Sequence, residues 1–277
     1  MRPYTLHLSN FRYNLTVKTI KLANIGKCIY CLTSSHPLQT EHIIPYALNG
    51  PWILRRATCE KCAAITSSIE LIILRGSLNL FRAGLDFQTR RKELRPTTWT
   101  LPVTRDGTEE IWTIPTTEYP VFLDLPVYEL PAHQTGKTIE RGINYVAHPL
   151  VIPNFQSVSE ALKNRGVTSF TLKNTWEPHA FARFLAKVAY GFAVSFYGLD
   201  NLQEAYVLPY ILDENQSDIG RYVGSDTTKP HEGKHFYEID LFRRGLEIIE
   251  RIRLFGTLPV PDYIVVVGRL RDPKNVV

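Results

Sequence analysis

An α+β fold is what this sequence predicts, and three observations carry the expectation. All four cysteines fall in two C-x-x-C pairs near the N-terminus, strand-like runs with turn signals follow Pro96, and an apolar helical repeat follows Pro178. The 277 residues suffice for one large domain or two modest ones, and 44% hydrophobic with 21% charged residues is ordinary for a globular chain. Charge is unevenly spread: residues 1–95 carry 14 Lys/Arg against 5 Asp/Glu, and the remainder 18 against 22. The basic excess therefore shares a third of the chain with the cysteines, as a polyanion-binding face would.

Taken in order, residues 1–27 read as an irregular or extended lead-in, with Gly26 turning into the first cysteine pair. After Cys62, Ile65, Ile69, Ile72, Ile73 and Leu80 form a helical stripe, closed by Gly84 and the TRRKELRP run. Residues 97–155 read as β-rich. TWTLPVT and EEIWTIP flank the hairpin signal Asp106-Gly107, and Pro115, Pro120, Pro126 and Pro131 point to edge strands or extended loop beyond it. After Pro178, Phe181, Phe184, Leu185, Val188, Phe192 and Phe196 recur at helical spacing up to Gly198, with Arg183 and Lys187 a turn apart on the other side. HFYEIDLF, LEIIERIRLF and YIVVVGRL read as strands. The expected division is residues 1–95 and residues 96–277, the second part of unknown role.

The N-terminus has no continuous apolar core, so no signal peptide is expected. The longest apolar stretch, FLAKVAYGFAVSFYG, is broken by Lys187 and too short to span a bilayer. A cytoplasmic protein without membrane association is the expectation, and in a reducing compartment paired cysteines favour metal over disulfide. Cys28, Cys31, Cys59 and Cys62 suit tetrahedral zinc. The 27 residues between the pairs exceed the spacing of a simple zinc ribbon, and they contain Glu41-His42-Ile43-Ile44-Pro45.

Cys28-Ile29-Tyr30-Cys31, Glu41-His42-Ile43-Ile44-Pro45 and Cys59-Glu60-Lys61-Cys62 together resemble, in kind and order, the zinc-containing HNH endonucleases, whose fold is the treble-clef ββα-metal unit. The resemblance covers about residues 25–75. It implies structural zinc on the four cysteines, a catalytic Mg²⁺ or Mn²⁺ held by Glu41, and His42 as general base in hydrolysis of DNA phosphodiesters. Where such proteins carry Asn or His after the fourth cysteine, as a second ligand to the catalytic metal, this chain has Ala63. Glu70, about two helical turns on, is the candidate substitute ligand.

Arg55, Arg56, Lys61, Arg90, Arg91 and Lys92 are the candidate phosphate contacts, on DNA or alternatively RNA. Two other readings stay open at this point. One is a zinc-stabilised nucleic-acid-binding module that has lost catalysis through Ala63; the other is a protein-interaction scaffold.

Overall fold

A computed structural model of the chain describes residues 4–8, 18–90, 92–172, 175–226 and 229–273; Arg91 lies outside them. The N-terminal part runs β1 (Tyr4–Leu8), β2 (Ile20–Asn24), β3 (Leu38–His42), β4 (Trp52–Cys59) and α1 (Glu60–Arg75). Strand β4 is central in a three-stranded sheet, with β2 parallel and β3 antiparallel to it. The β3–β4 ladder slips between Gln39, opposite Thr58, and Glu41, opposite Leu54. Arg56, at φ 48, lies in the skipped stretch, and the N–H groups of Ile25 and Gly26 bond to the carbonyls of Arg55 and Arg56 at 3.0 Å. A bulge of this kind re-aims side chains. Here Glu41 is buried while Arg55 and Arg56 stay exposed. After the doublet the chain doubles back tightly, with the Gly50 N–H on the Pro45 carbonyl at 3.1 Å. A Cβ at Gly50 would overlap the Ile44 carbonyl, so only glycine fits.

Helix α1 begins at Glu60, inside the second cysteine pair, and ends at Arg75. The sequence pattern predicts a single helix on to Gly84. Instead the chain leaves helical geometry at Gly76 (φ −92, ψ −114), and α2 (Asn79–Gly84) is a separate turn that carries Leu80. Strands β5 (Thr98–Arg105) and β6 (Thr108–Pro115) form the expected hairpin, with Asp106 and Gly107 at φ 50 and 77. Next come β7 (Phe122–Tyr128), α3 (Ala132–Thr135), β8 (Tyr145–Val151), α4 (Pro153–Asn164) and β9 (Val167–Phe170). Among the described residues, the proline-bearing strands β7 and β8 pair with each other in a two-stranded sheet. Strand β9 joins β5, and these elements enclose a small core of Leu101, Val103, Ile114, Tyr119, Leu162 and Val167. The reading of residues 97–155 as β-rich missed the start of α4, whose signal was Pro153 at its first turn.

The remainder is α5 (Pro178–Tyr197), β10 (Leu202–Ala205), α6 (Leu208–Leu212), β11 (Val223–Ser225), β12 (Tyr237–Arg244), β13 (Glu247–Leu254) and β14 (Tyr263–Leu270). They build an antiparallel sheet in the order β1-β12-β13-β14-β10, with β11 also on β14. Helix α5 packs between this sheet and α1. Every side chain from Ala180 to Val194 is buried, as in a helix that is a core element on all sides. Arg183 and Lys187 are therefore interior groups, not a polar face. Arg183 donates from Nε and Nη2 to the carbonyls of Tyr210 and Ile211, at 2.7 and 3.1 Å. The main core runs without a break from Cys28 and Trp52 through Tyr190 to Tyr237 and Tyr263, and so draws on both sides of residue 96.

The buried Tyr190 hydroxyl on α5 donates to the Ile29 carbonyl within the first cysteine pair. Tyr190→Phe leaves that carbonyl without this donor in a dry core, at an expected cost of about 1–3 kcal/mol. A thermal melt should show a Tm lower by a few degrees; an unchanged Tm would mean the bond adds nothing to the folded state.

Candidate functional site

The zinc-type cysteines are placed by two local devices. In the first pair, the Leu32 N–H bonds the Cys28 carbonyl at 2.9 Å, the Cys28 N–H bonds the Thr33 carbonyl at 2.8 Å, and Leu32 adopts φ 62. In the second, Cys59 is the N-cap of α1, and the Cys62 backbone N–H at its sulfur pulls the Cys59 thiol down to about 7. All four Sγ atoms lie within 4.8 Å of one another, Cys31 and Cys59 at 3.6 Å. Zinc at about 2.3 Å from each sulfur of a tetrahedron asks for sulfurs about 3.8 Å apart. The four cysteines can hold a zinc ion, and soft thiolate donors suit one.

Glu41 and His42 end β3 just beyond the bulge. The Glu41 carboxylate is buried, and its partner is the ammonium of Lys187, at 2.8 Å. The same Nζ lies 2.9 Å from Oε1 of Glu70 on α1, donates to the His42 carbonyl, and reaches the Ile43 carbonyl at 3.3 Å. Burial alone would discharge Lys187, but the attraction of Glu41 and Glu70 and their hydrogen bonds overcome it and raise its pKa. Burial pushes the Glu41 carboxyl up, with Lys187 pulling it back. Tyr30 is buried close by, its phenol raised well above its ordinary value by burial and then by the two carboxylates.

Sequence reasoning placed Glu41 and Glu70 on separate elements, and the fold brings both to one ammonium. It gave Lys187 only as a cation on the other side of α5, not as a site residue. The available signal was a lone cation inside the longest apolar stretch, since a buried charge requires a buried partner.

His42 is half-buried and lines a cleft of ≈ 620 Å³ whose walls include Ala63, Glu70, Arg75, Arg90 and Arg95. Its Nδ1 is buried without a hydrogen-bond partner among the described residues. Burial first, then the charges of Lys187 and Arg90, lower the His42 pKa against an opposing effect of Glu70, so a neutral imidazole is favoured near pH 7. Arg90 stands over the Tyr46 ring, 5.9 Å from its centroid, and Tyr46 meets His42 edge-on at 6.2 Å. Arg82 is fixed in the wall by bonds to the carbonyls of Ala47 and Leu74, each 2.8 Å, and burial lowers its pKa to about 10. Arg95 pairs with Asp86.

Among the described side chains of the candidate phosphate contacts, Arg90 lines this cleft, and Arg55, Arg56 and Lys61 are exposed outside it. Lys92 sits in a short 3₁₀ turn at Lys92–Leu94. Arg75 and Arg82 were not singled out from sequence, where each is an isolated cation.

A divalent ion on Glu41 and Glu70 does not fit the residues as they stand. Both carboxylates are engaged by Lys187, and Ala63 adds no donor to the same cleft. A divalent ion takes carboxylate oxygens at about 2.0–2.6 Å, which would set it against the ammonium. No helix among the described residues is long and apolar enough to cross a membrane. Compared with family models, curated proteins and solved structures, the chain gives no match.

Freshly purified protein should carry one zinc per chain, and strong chelation should unfold the N-terminal sheet, because metal affinity in such units is folding energy. Elemental analysis and circular dichroism before and after chelation read this out. Full-length protein with no zinc and an intact fold would remove the metal from the account.

Proposed function

We propose that the chain is a zinc-stapled endonuclease of HNH type that hydrolyses DNA phosphodiester bonds, with His42 as general base. The observation that carries the reading is a half-buried imidazole, favoured neutral, lining an arginine-bearing cleft beside the Glu41–Lys187–Glu70 cluster. The order β3, β4, α1, with the second cysteine pair at the strand–helix junction, supports a treble-clef ββα arrangement.

In the proposed reaction a phosphodiester lies in the cleft with its charge against Arg90 and Arg75. Water attacks phosphorus and gives a proton to His42 Nε2. A new P–O bond forms as the bond to the leaving ester oxygen breaks, and that oxygen takes a proton from solvent. Glu41 holds no reacting atom in this scheme; with Lys187 it fixes the backbone that carries His42.

A second reading, the binding module without catalysis, is favoured by Ala63 and by the engagement of both carboxylates. Plasmid nicking assayed with and without Mg²⁺ or Mn²⁺, beside His42→Ala, separates the two. Loss of the base should lower the rate about 10²–10⁴-fold with DNA affinity retained. Cleavage that survives His42→Ala would dismiss His42 as the base, and salt-dependent binding with no cleavage in any condition would favour the binding module. Arg90→Ala should weaken binding and flatten its salt dependence by about one counterion. Binding that is absent, or indifferent to salt, would leave the scaffold.

A further inference from the structure

The oxygens around Lys187 Nζ come from three places in the fold: the Glu41 carboxylate and the His42 carbonyl at the end of β3, the Ile43 carbonyl just after it, and the Glu70 carboxylate on α1. Two carboxylates and two main-chain carbonyls converging on one point are the donors that a hard metal cation takes. What occupies that point is a side chain delivered by α5, from far along the sequence. We propose that Lys187 is a built-in cation that takes the place of a divalent metal ion at the Glu41–Glu70 centre.

Three features support the assignment. The Nζ lies at nearly equal distance from the two carboxylates, 2.8 and 2.9 Å, as a shared central cation does. A metal on the same oxygens would lie within contact distance of the ammonium, so the two exclude one another. Ala63, next to the last cysteine and on the cleft wall, has no donor that an external ion could use.

The substitution has a chemical consequence. Lys187 is 1% exposed and cannot touch a phosphate in the cleft, so it is a positioning residue for the doublet. Charge developing on the phosphate then falls to cleft cations such as Arg75 and Arg90. Resting on the nuclease reading, this makes hydrolysis independent of divalent metal.

The test is a Mn²⁺ titration of the zinc-loaded full-length protein, followed by electron paramagnetic resonance, with plasmid nicking measured in parallel. Wild type should show no Mn²⁺ site that Glu70→Gln removes, and its nicking should be the same without divalent metal as with it. Lys187→Met, checked for folding by circular dichroism, should gain one Mn²⁺ site at least about tenfold tighter than any in wild type. Adding Glu70→Gln to that variant should abolish the new site, and Mn²⁺ should restore whatever nicking Lys187→Met has lost. A Glu70-dependent Mn²⁺ site in wild type, or nicking that requires Mg²⁺ or Mn²⁺, overturns the proposal; so does a folded Lys187→Met that binds nothing. If Lys187→Met fails to fold, the wild-type and Glu70→Gln titrations decide. A gained site without nicking in any condition would support the built-in cation and count against the nuclease reading alone.

Discussion

One ammonium group joins the two halves of the candidate site to the central helix. Lys187 reaches from α5 to Glu41 and the His42 carbonyl on β3, and to Glu70 on α1. Taking such charges out of water costs several kcal/mol per ion, and the interior repays it only where geometry is good and the remaining lone pairs are satisfied. Removing one partner is the expensive change, about 3–5 kcal/mol, because the others are left buried and uncompensated. The position of β3 relative to α1 therefore depends on a residue more than a hundred positions away. Tyr190, three residues further along α5, ties the first cysteine pair to the same helix. The cysteine cluster and the doublet thus share one support.

Local signals made much of this legible. The cysteine pairs declare themselves by spacing, the β5–β6 turn by Asp106-Gly107, and α5 by its repeat and terminal glycine. What sequence could not give was which face of an element ends up inside. The apolar positions of α5 suggest a one-sided helix, yet tertiary packing buries every residue from Ala180 to Val194, which puts Lys187 at the centre of the site. Gly76 splits what reads as one helical run, because a short break leaves the hydrophobic repeat nearly in phase. The bulge on β4 left no readable trace either, although it decides that Glu41 points inward and Arg55 and Arg56 outward.

The cationic face shows the same limit. Charge density along the chain drew attention to Arg55-Arg56 and Arg90-Arg91-Lys92, but a cleft collects residues by geometry. Arg75 at the end of α1 and Arg82 on α2 line it, although neither sits in a charged run. Nor do the cleft arginines do one job. Arg82 and Arg95 are committed to main-chain carbonyls and to Asp86, and hold the wall together. Arg75 and Arg90 are exposed and can meet a ligand's charge.

The cluster's chemistry also bears on why it is charged at all. Replacing a buried ion pair or triad by apolar residues of similar volume is often neutral or stabilising, so stability alone gives little reason for Glu41, Glu70 and Lys187 to be polar. Their value has to lie in what charge does and apolar packing does not. An ammonium with fixed acceptors sets the orientation of two carboxylates and a strand-end carbonyl, and apolar contacts impose no such directions. The carbonyl it fixes belongs to His42, the imidazole beside the cleft. Of the roles open to this cluster, holding that histidine in place is the one for which the cost of burying Glu41 and Lys187 and partly burying Glu70 has a return.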